Sequence, residues 1–313
     1  MSSLVTEIPR KILSALTTVF GVALAVFLLF HVVGGDPVYQ MLGKHATKAQ
    51  VIALRHQLGL DQPLWKQFWD YLVQIATFDF GRSYATHEQI TSMIARGIGP
   101  TLSIAIPAFF LTTVIALSLG LLTAYFLGRW VDRVVSIACI LGMSVPILAY
   151  ILGGQYFFAF QAGLFPISGY EADWSERLQY IALPGLIWII LSMGYDVRFF
   201  RTAMIEEVRQ DYVRTARAKG LNERVVLFKH VLKNSAVPVL THVVVEIPML
   251  ILGSFLLESF FAVPGLGNMT IDALHGSDFP VIKAMTVFQS LLMIFGNLMT
   301  DIMYRVFDPR MSR

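Results

Sequence analysis

The chain has 313 residues, of which 56% are hydrophobic and only 14% carry a formal charge, for a net charge of +3. About a quarter of an ordinary soluble domain is Asp, Glu, Lys and Arg, so this composition excludes a typical soluble protein, and nothing in it points to nucleic acid. The single cysteine, Cys139, sits in an apolar block and excludes an internal disulfide; no cluster of residues at ligand spacing suggests a metal.

The uncharged blocks 12–35, 97–128 and 134–170 each exceed the roughly 20 residues that a helix needs to cross the hydrocarbon layer. The chain therefore reads as all-α, a polytopic membrane protein with about six transmembrane helices. They are expected at about 11–33, 100–127, 134–160, 179–200, 236–261 and 282–306. The last three contain ionisable residues but keep the required length, and backbone that faces lipid must satisfy itself as helix.

Arg10 and Lys11 precede the first span, as in a signal peptide, but its apolar stretch is long and ends in Val32-Val33-Gly34-Gly35-Asp36 without an A-x-A pattern. It is expected to stay as an anchor, residues 1–35. Residues 36–96 form a helical region outside the membrane. Thr47 caps a helix over 48–58, Gly59 stops it, and Asp61 and Pro63 open a second helix over 64–77 that carries Trp65, Phe68 and Trp69. These aromatics suit the membrane surface, with ligand contact as the alternative. Residues 97–307 make the transmembrane core and 308–313 a short tail.

Lys and Arg set the orientation. Arg10, Lys11, Arg129, Arg133, the cluster from 198 to 233, Arg305, Arg310 and Arg313 share one side. Short loops rich in Lys and Arg stay cytoplasmic, so both termini and the loop 201–235 are expected in the cytosol.

That loop contains Gln210-Asp211-Tyr212-Val213-Arg214-Thr215-Ala216-Arg217-Ala218-Lys219-Gly220-Leu221. Residues 204–219 lack Pro and Gly and should continue the fourth span as helix. Gly220 takes the left-handed position after it. Asn222 caps a second helix over about 223–235, with Leu221 and Val226 placed as a hydrophobic staple, and Pro238 opens the fifth span. Ala216, Ala218 and Gly220 leave room for a partner; Arg214, Arg217, Lys219, Arg224 and Lys229 could equally hold the loop to anionic headgroups. On the residues alone both readings stand.

Among ionisable residues inside spans, Glu246 is the candidate for the translocation path, where it could bind a substrate ammonium; bonding to a neighbouring helix is the alternative. Glu258 is placed near the outer end of the fifth span and is a second path candidate. Asp196 is expected to pair with Arg198 or Arg201. His31, His242 and His275 read as isolated residues with structural roles.

The loop resembles the EAA-type coupling motif of integral-membrane subunits of ABC importers. Aligned on Gly220, the Glu-Ala-Ala of the motif falls on Arg214-Thr215-Ala216, and only the second alanine is kept; the usual proline falls on Lys233. Asp211 to Leu221, followed by a basic helix with Asn234 and Pro238, is similar instead to the peptide and nickel branch of that family. So are Gly35-Asp36-Pro37, Leu58-Gly59-Leu60-Asp61-Gln62-Pro63-Leu64, Asp79-Phe80-Gly81-Arg82-Ser83, the segment 141–146, Glu258-Ser259-Phe260-Phe261-Ala262-Val263-Pro264-Gly265-Leu266-Gly267, Asp278-Phe279-Pro280-Val281, Asn297-Leu298-Met299-Thr300-Asp301 and Asp308-Pro309-Arg310.

The resemblance implies the type I ABC importer permease fold. It further implies a heterodimer with a second homologous permease, two cytosolic ATPase subunits that carry ATP and magnesium, and an extracytoplasmic substrate-binding protein. ATPase coupling would fall on Asp211, Ala216, Ala218, Gly220, Leu221 and Asn222. The chain itself is expected to bind no cofactor, since no Walker loop or metal motif is present. Di- or oligopeptides are the expected cargo, with nickel or another small solute as the alternative on the same scaffold. A secondary transporter would show internal repeats or paired broken helices, and a membrane enzyme would show a catalytic motif; neither is evident in the sequence.

Overall fold

The structure, a computed structural model, describes residues 2–32, 37–42, 46–252 and 255–307. Gly35, Asp36 and the signature Asp308-Pro309-Arg310 lie outside these residues, as do the side chains of Arg10, Lys11, Asp301 and Arg305. The described residues are helical apart from loops and one isolated bridge between Arg82 and Gln89.

In chain order the helices are α1 (Ser2–Val32), α2 (Pro37–Leu42), α3 (Lys48–Gln57), α4 (Leu64–Thr77), α5 (Ile90–Tyr125), α6 (Trp130–Ser144) and α7 (Ile147–Gly154), the last continuing in π form over Gln155–Gln161. There follow α8 (Trp174–Val208), α9 (Asp211–Ala218), α10 (Glu223–Val225), a π segment (Val226–Leu232), α11 (Lys233–Leu252), α12 (Phe255–Phe260), α13 (Leu266–His275) and α14 (Phe279–Phe307). Five helical stretches are long and apolar enough to cross a membrane, and six if the bent pair α6 and α7 counts as one.

The bend corrects the expectation of a continuous span over 134–160. α6 and the helix beginning at Ile147 meet at 91°. Pro146 has no N–H to donate and forces the residue before it out of the helical region; Val145 accordingly takes φ −88° and ψ 127°. Hydropathy is uniform across the corner and carries no record of it.

The chain divides into two compact units, one of Met1–Gly99 with Pro264–Leu298, the other of Pro100–Val263 with Met299–Arg313. In the first, α3 begins as expected. Thr47 Oγ1 accepts from the Gln50 N–H, and Gln50 Oε1 accepts from the Thr47 N–H, which closes a capping box. The aromatics of α4 divide their roles. Phe68 lies edge-on to Phe27 of α1 at 5.2 Å and Tyr71 is buried beside it, whereas Trp65 and Trp69 stay exposed.

In the second unit, α6 lies along α8. Gly194 permits this approach: a Cβ there would stand 3.0 Å from the Cys139 carbonyl oxygen and 2.8 Å from Met143 Cγ. Small residues at helix contacts are how membrane helices gain van der Waals packing without a hydrophobic driving force. About two turns further along α8, Arg201 forks onto Asp132 of α6, with Nε to Oδ1 at 2.6 Å and Nη2 to Oδ2 at 3.0 Å. This corrects the expected pairing of Asp196 with Arg198 or Arg201: Arg201 is committed to Asp132, Arg198 reaches the Met143 sulfur, and Asp196 meets His242 instead. An apolar cluster of Ile151, Leu183, Ile187, Leu257 and Phe261 packs α7, α8 and α12 together.

Candidate functional site

The loop 201–235 folds as an elbow between two long helices. α8 does not run on to 219 as expected. It ends at Val208, Gln210 turns extended at ψ 149°, and α9 starts at Asp211. The Tyr212 hydroxyl donates to Glu207 across this break. Burial, with the Glu207 carboxylate next in effect, pushes that phenol up to about 12, so it remains a proton donor at neutral pH.

After α9 the chain reverses at Gly220, φ +76°, whose N–H donates to Arg217 O at 2.9 Å. This is the left-handed conformation that side chains resist. Asn222 Oδ1 then accepts from the Arg224 N–H at 3.1 Å and caps the next helix. Arg217 closes the corner on Glu223, Nη2 to Oε1 at 2.5 Å and Nε to Oε2 at 3.2 Å. The second arm also differs from expectation. Instead of ending near 235, it runs through the π segment straight into α11, with Pro238 inside the helix.

The elbow has an apolar inside. Val213, Ala216, Val226, Leu227 and Val231 are buried against Met204 and Val208 of α8 and Ala124 of α5. Ala216 therefore belongs to the elbow's own packing and does not share a face with Ala218. On the outside lie Asp211, Ala218, Gly220, Leu221 and Asn222. Leu221 is 41% exposed, as is Val225, and Phe228 is 61% exposed. Leu221 stands just before the Asn222 cap, Val225 ends α10 and Phe228 lies in the π segment, so these exposed apolar residues follow one another along the start of the second arm. Val225 and Phe228 were not among the candidates read from the sequence; their spacing from Leu221 was the available signal.

The candidate path residues lie elsewhere in this unit. Glu258 is 1% exposed and accepts from Thr101 Oγ1 at 3.0 Å, a buried link between α12 and α5. Glu246 is more open and borders a cleft of about 200 Å³ lined by Phe109, Thr112, Trp188, Ser192, Asp196, Met249 and Leu250. At its edge His242 Nε2 stands 3.0 Å from Glu246 Oε1 and 3.0 Å from Asp196 Oδ1. His242 is thus not isolated. Its i, i+4 relation to Glu246 was legible; the approach of Asp196 from α8 was not.

Helices long and apolar enough to cross a membrane, with a capped elbow between two of them, fit a membrane transport subunit. Comparison with known proteins makes this definite: the chain belongs to the family of binding-protein-dependent transport system inner membrane components, whose model matches residues 116–313. The model of that family's N-terminal region matches residues 4–105. A peptide transport system permease protein of Brucella abortus (strain 2308) is 34% identical over 96% of this chain and 97% of its own length. A glutathione transport system permease protein of Salmonella typhimurium is 35% identical over 96% of each chain. This is a multi-pass membrane protein and a permease subunit of an ABC importer, a family of transporters rather than ATPases, which as a family works with ATPase subunits and a binding protein.

Proposed function

We propose that this chain forms half of the translocation path of an importer for di- and oligopeptides. Its pair is a second homologous permease, and its motor two cytosolic ATPase subunits that hold ATP and magnesium. An extracytoplasmic protein delivers the cargo, and lipid covers the remaining apolar surface. The chain has no Walker loop of its own. Peptide cargo is supported by what the relatives are named for, peptide and glutathione transport. Both termini and the elbow face the cytosol, as the Lys and Arg distribution favours.

One observation carries the coupling assignment: the exposed stripe Leu221, Val225 and Phe228 on an elbow whose inside is already filled by its own chain. Apolar side chains left this exposed among the described residues suit a groove on another protein. Asp211, Ala218, Gly220 and Asn222 border that face, while Ala216 supports it from within. Glu246 is the path residue, beside the cleft; Glu258 serves helix packing. The test is assembly and uptake with Phe228→Asp. The variant should insert normally, lose co-purifying ATPase and lose ATP-dependent uptake of labelled peptide. Full assembly and uptake by that variant would overturn the assignment.

A further inference from the structure

Asp196, His242 and Glu246 gather three potential ligand atoms, one per residue, all within 4.8 Å of one another. Two carboxylates facing one imidazole nitrogen at equal distance is an awkward arrangement without a further cation. A single N–H points at one acceptor, so the second carboxylate oxygen at 3.0 Å has no proton of its own from that ring nitrogen. With both carboxylates ionised, neutral histidine would leave two negative charges together, and protonated histidine one. Among the described residues no Lys or Arg forms an ion pair with Asp196 or Glu246. The group lies on helices long and apolar enough to cross the membrane, where an uncompensated charge is costly.

The imidazole is also held in place. Phe199 stacks on it at 4.3 Å and 19°, Phe200 meets it edge-on at 5.5 Å, and Tyr195 lies 5.8 Å away. This aromatic setting fixes the plane in which Nε2 points at both carboxylates. Asp196 is 3% exposed, while Glu246 opens on the cleft. The arrangement has a rigid side and a side that a solute can reach.

We propose that Asp196, His242 and Glu246 together bind one divalent transition cation of the zinc, cobalt and nickel class. Ligands about 2.0–2.2 Å from a tetrahedral ion stand roughly 3.3–3.6 Å apart. The two nitrogen–oxygen spacings of 3.0 Å therefore need a small expansion, while the two carboxylate oxygens already lie within 4.8 Å of one another. One nitrogen and two carboxylate oxygens suit these metals, whereas magnesium and calcium take oxygen sets. The ion replaces the shared proton, satisfies all three ligands and offsets their charge. Its fourth position faces the cleft, open to water or to an oxygen or nitrogen of a solute. The expectation from sequence that the chain holds no metal is revised by this proposal. It goes beyond the importer reading and does not depend on which cargo is carried.

The experiment uses the assembled transporter, purified in detergent, stripped of metal and titrated with cobalt(II). The expected result is one added ion per copy of this chain with intensified visible ligand-field bands, bleached by zinc and not by magnesium. In His242→Ala the band and that equivalent of cobalt should vanish. Glu246→Gln keeps an acceptor and a similar shape, and should weaken binding by at least about tenfold. If the wild-type complex takes up no cobalt beyond the His242→Ala complex, or if magnesium competes equally, the proposal fails. So it does if Glu246→Gln binds cobalt as tightly as wild type. Peptide uptake is not a readout here, so failure of the cargo assignment would leave the result standing.

Discussion

The Ser83 hydroxyl donates to Asp278 Oδ2 at 2.5 Å, joining positions 195 residues apart in the sequence. The N–H of Tyr84 reaches Oδ1 of the same carboxylate at 3.1 Å, and that of Ala85 reaches Oδ2 at 3.3 Å. Ser83 in turn accepts from the Thr86 N–H at 2.9 Å. Two signatures that look unrelated along the chain, Asp79-Phe80-Gly81-Arg82-Ser83 and Asp278-Phe279-Pro280-Val281, are the halves of one buried clasp. Asp278→Ala should orphan three donors, the buried Ser83 hydroxyl at about 1–3 kcal/mol and the part-buried Tyr84 and Ala85 N–H groups at less. A thermal melt of the detergent-solubilised transporter should show a clear loss. Ser83→Ala removes one donor to the carboxylate and strands the Thr86 N–H but leaves the two backbone donors on Asp278, and should cost less. Equal costs would mean that the backbone donors contribute nothing.

The Asp132–Arg201 fork makes a different prediction. Asp132 also accepts from the Gly128 N–H at 3.0 Å, so the carboxylate ties the end of α5 to α8 through α6. Arg201→Lys cannot reproduce the two-pronged geometry. It should destabilise by about 1 kcal/mol, a modest figure because the guanidinium is partly solvated. Asp132→Ala should cost more, since it strands a cation in a mostly covered setting. Melting temperatures of the two variants at matched expression settle the order.

At Gly220 the backbone, not the space, is the constraint. A Cβ there meets nothing within 4 Å among the described residues, but φ is +76°. Gly220→Asn, which tolerates the left-handed region, should keep uptake. Gly220→Val should strain the turn by about 1–2 kcal/mol or more and abolish ATP-driven uptake while membrane insertion stays normal. Uptake assays normalised to the amount of protein in the membrane distinguish the two.

Gly194 is the opposite case, limited by space. Its surroundings include backbone, the Cys139 carbonyl oxygen, which cannot swing away. Gly194→Ala should separate α6 from α8 and destabilise by about 1–3 kcal/mol. Cys139 offers the readout: it is buried now, and its alkylation by a membrane-permeant thiol reagent should accelerate in the variant.

The number and rough placement of spans were legible because charge-free length is written directly in residues such as 97–128. So were the turns with a chemical signature: Thr47 with Gln50, Gly59, Gly220 and Asn222 all sit where side-chain chemistry puts them. Breaks without such a signature were not. Nothing in Arg209-Gln210 forbids helix, yet α8 ends there, because the buried packing of Val213 and Ala216 requires a change of direction. Pairings between distant helices were equally hidden. Asp132, Asp196, Arg198 and Arg201 have interchangeable charges on paper, and only the crossing of α6, α8 and α11 decides which of them meet.

From Glu223 to Leu252 the helix is unbroken, passing from the elbow through the π segment into α11. At about 1.5 Å per residue these thirty residues make a rod roughly 45 Å long. Pivoting such a rod by about 10° about its foot carries its tip some 8 Å, by simple trigonometry on that length. His242 and Glu246 ride on the same rod beyond its midpoint, while Asp196 is carried by α8. A swing that moves α11 relative to α8 therefore alters the gap between them.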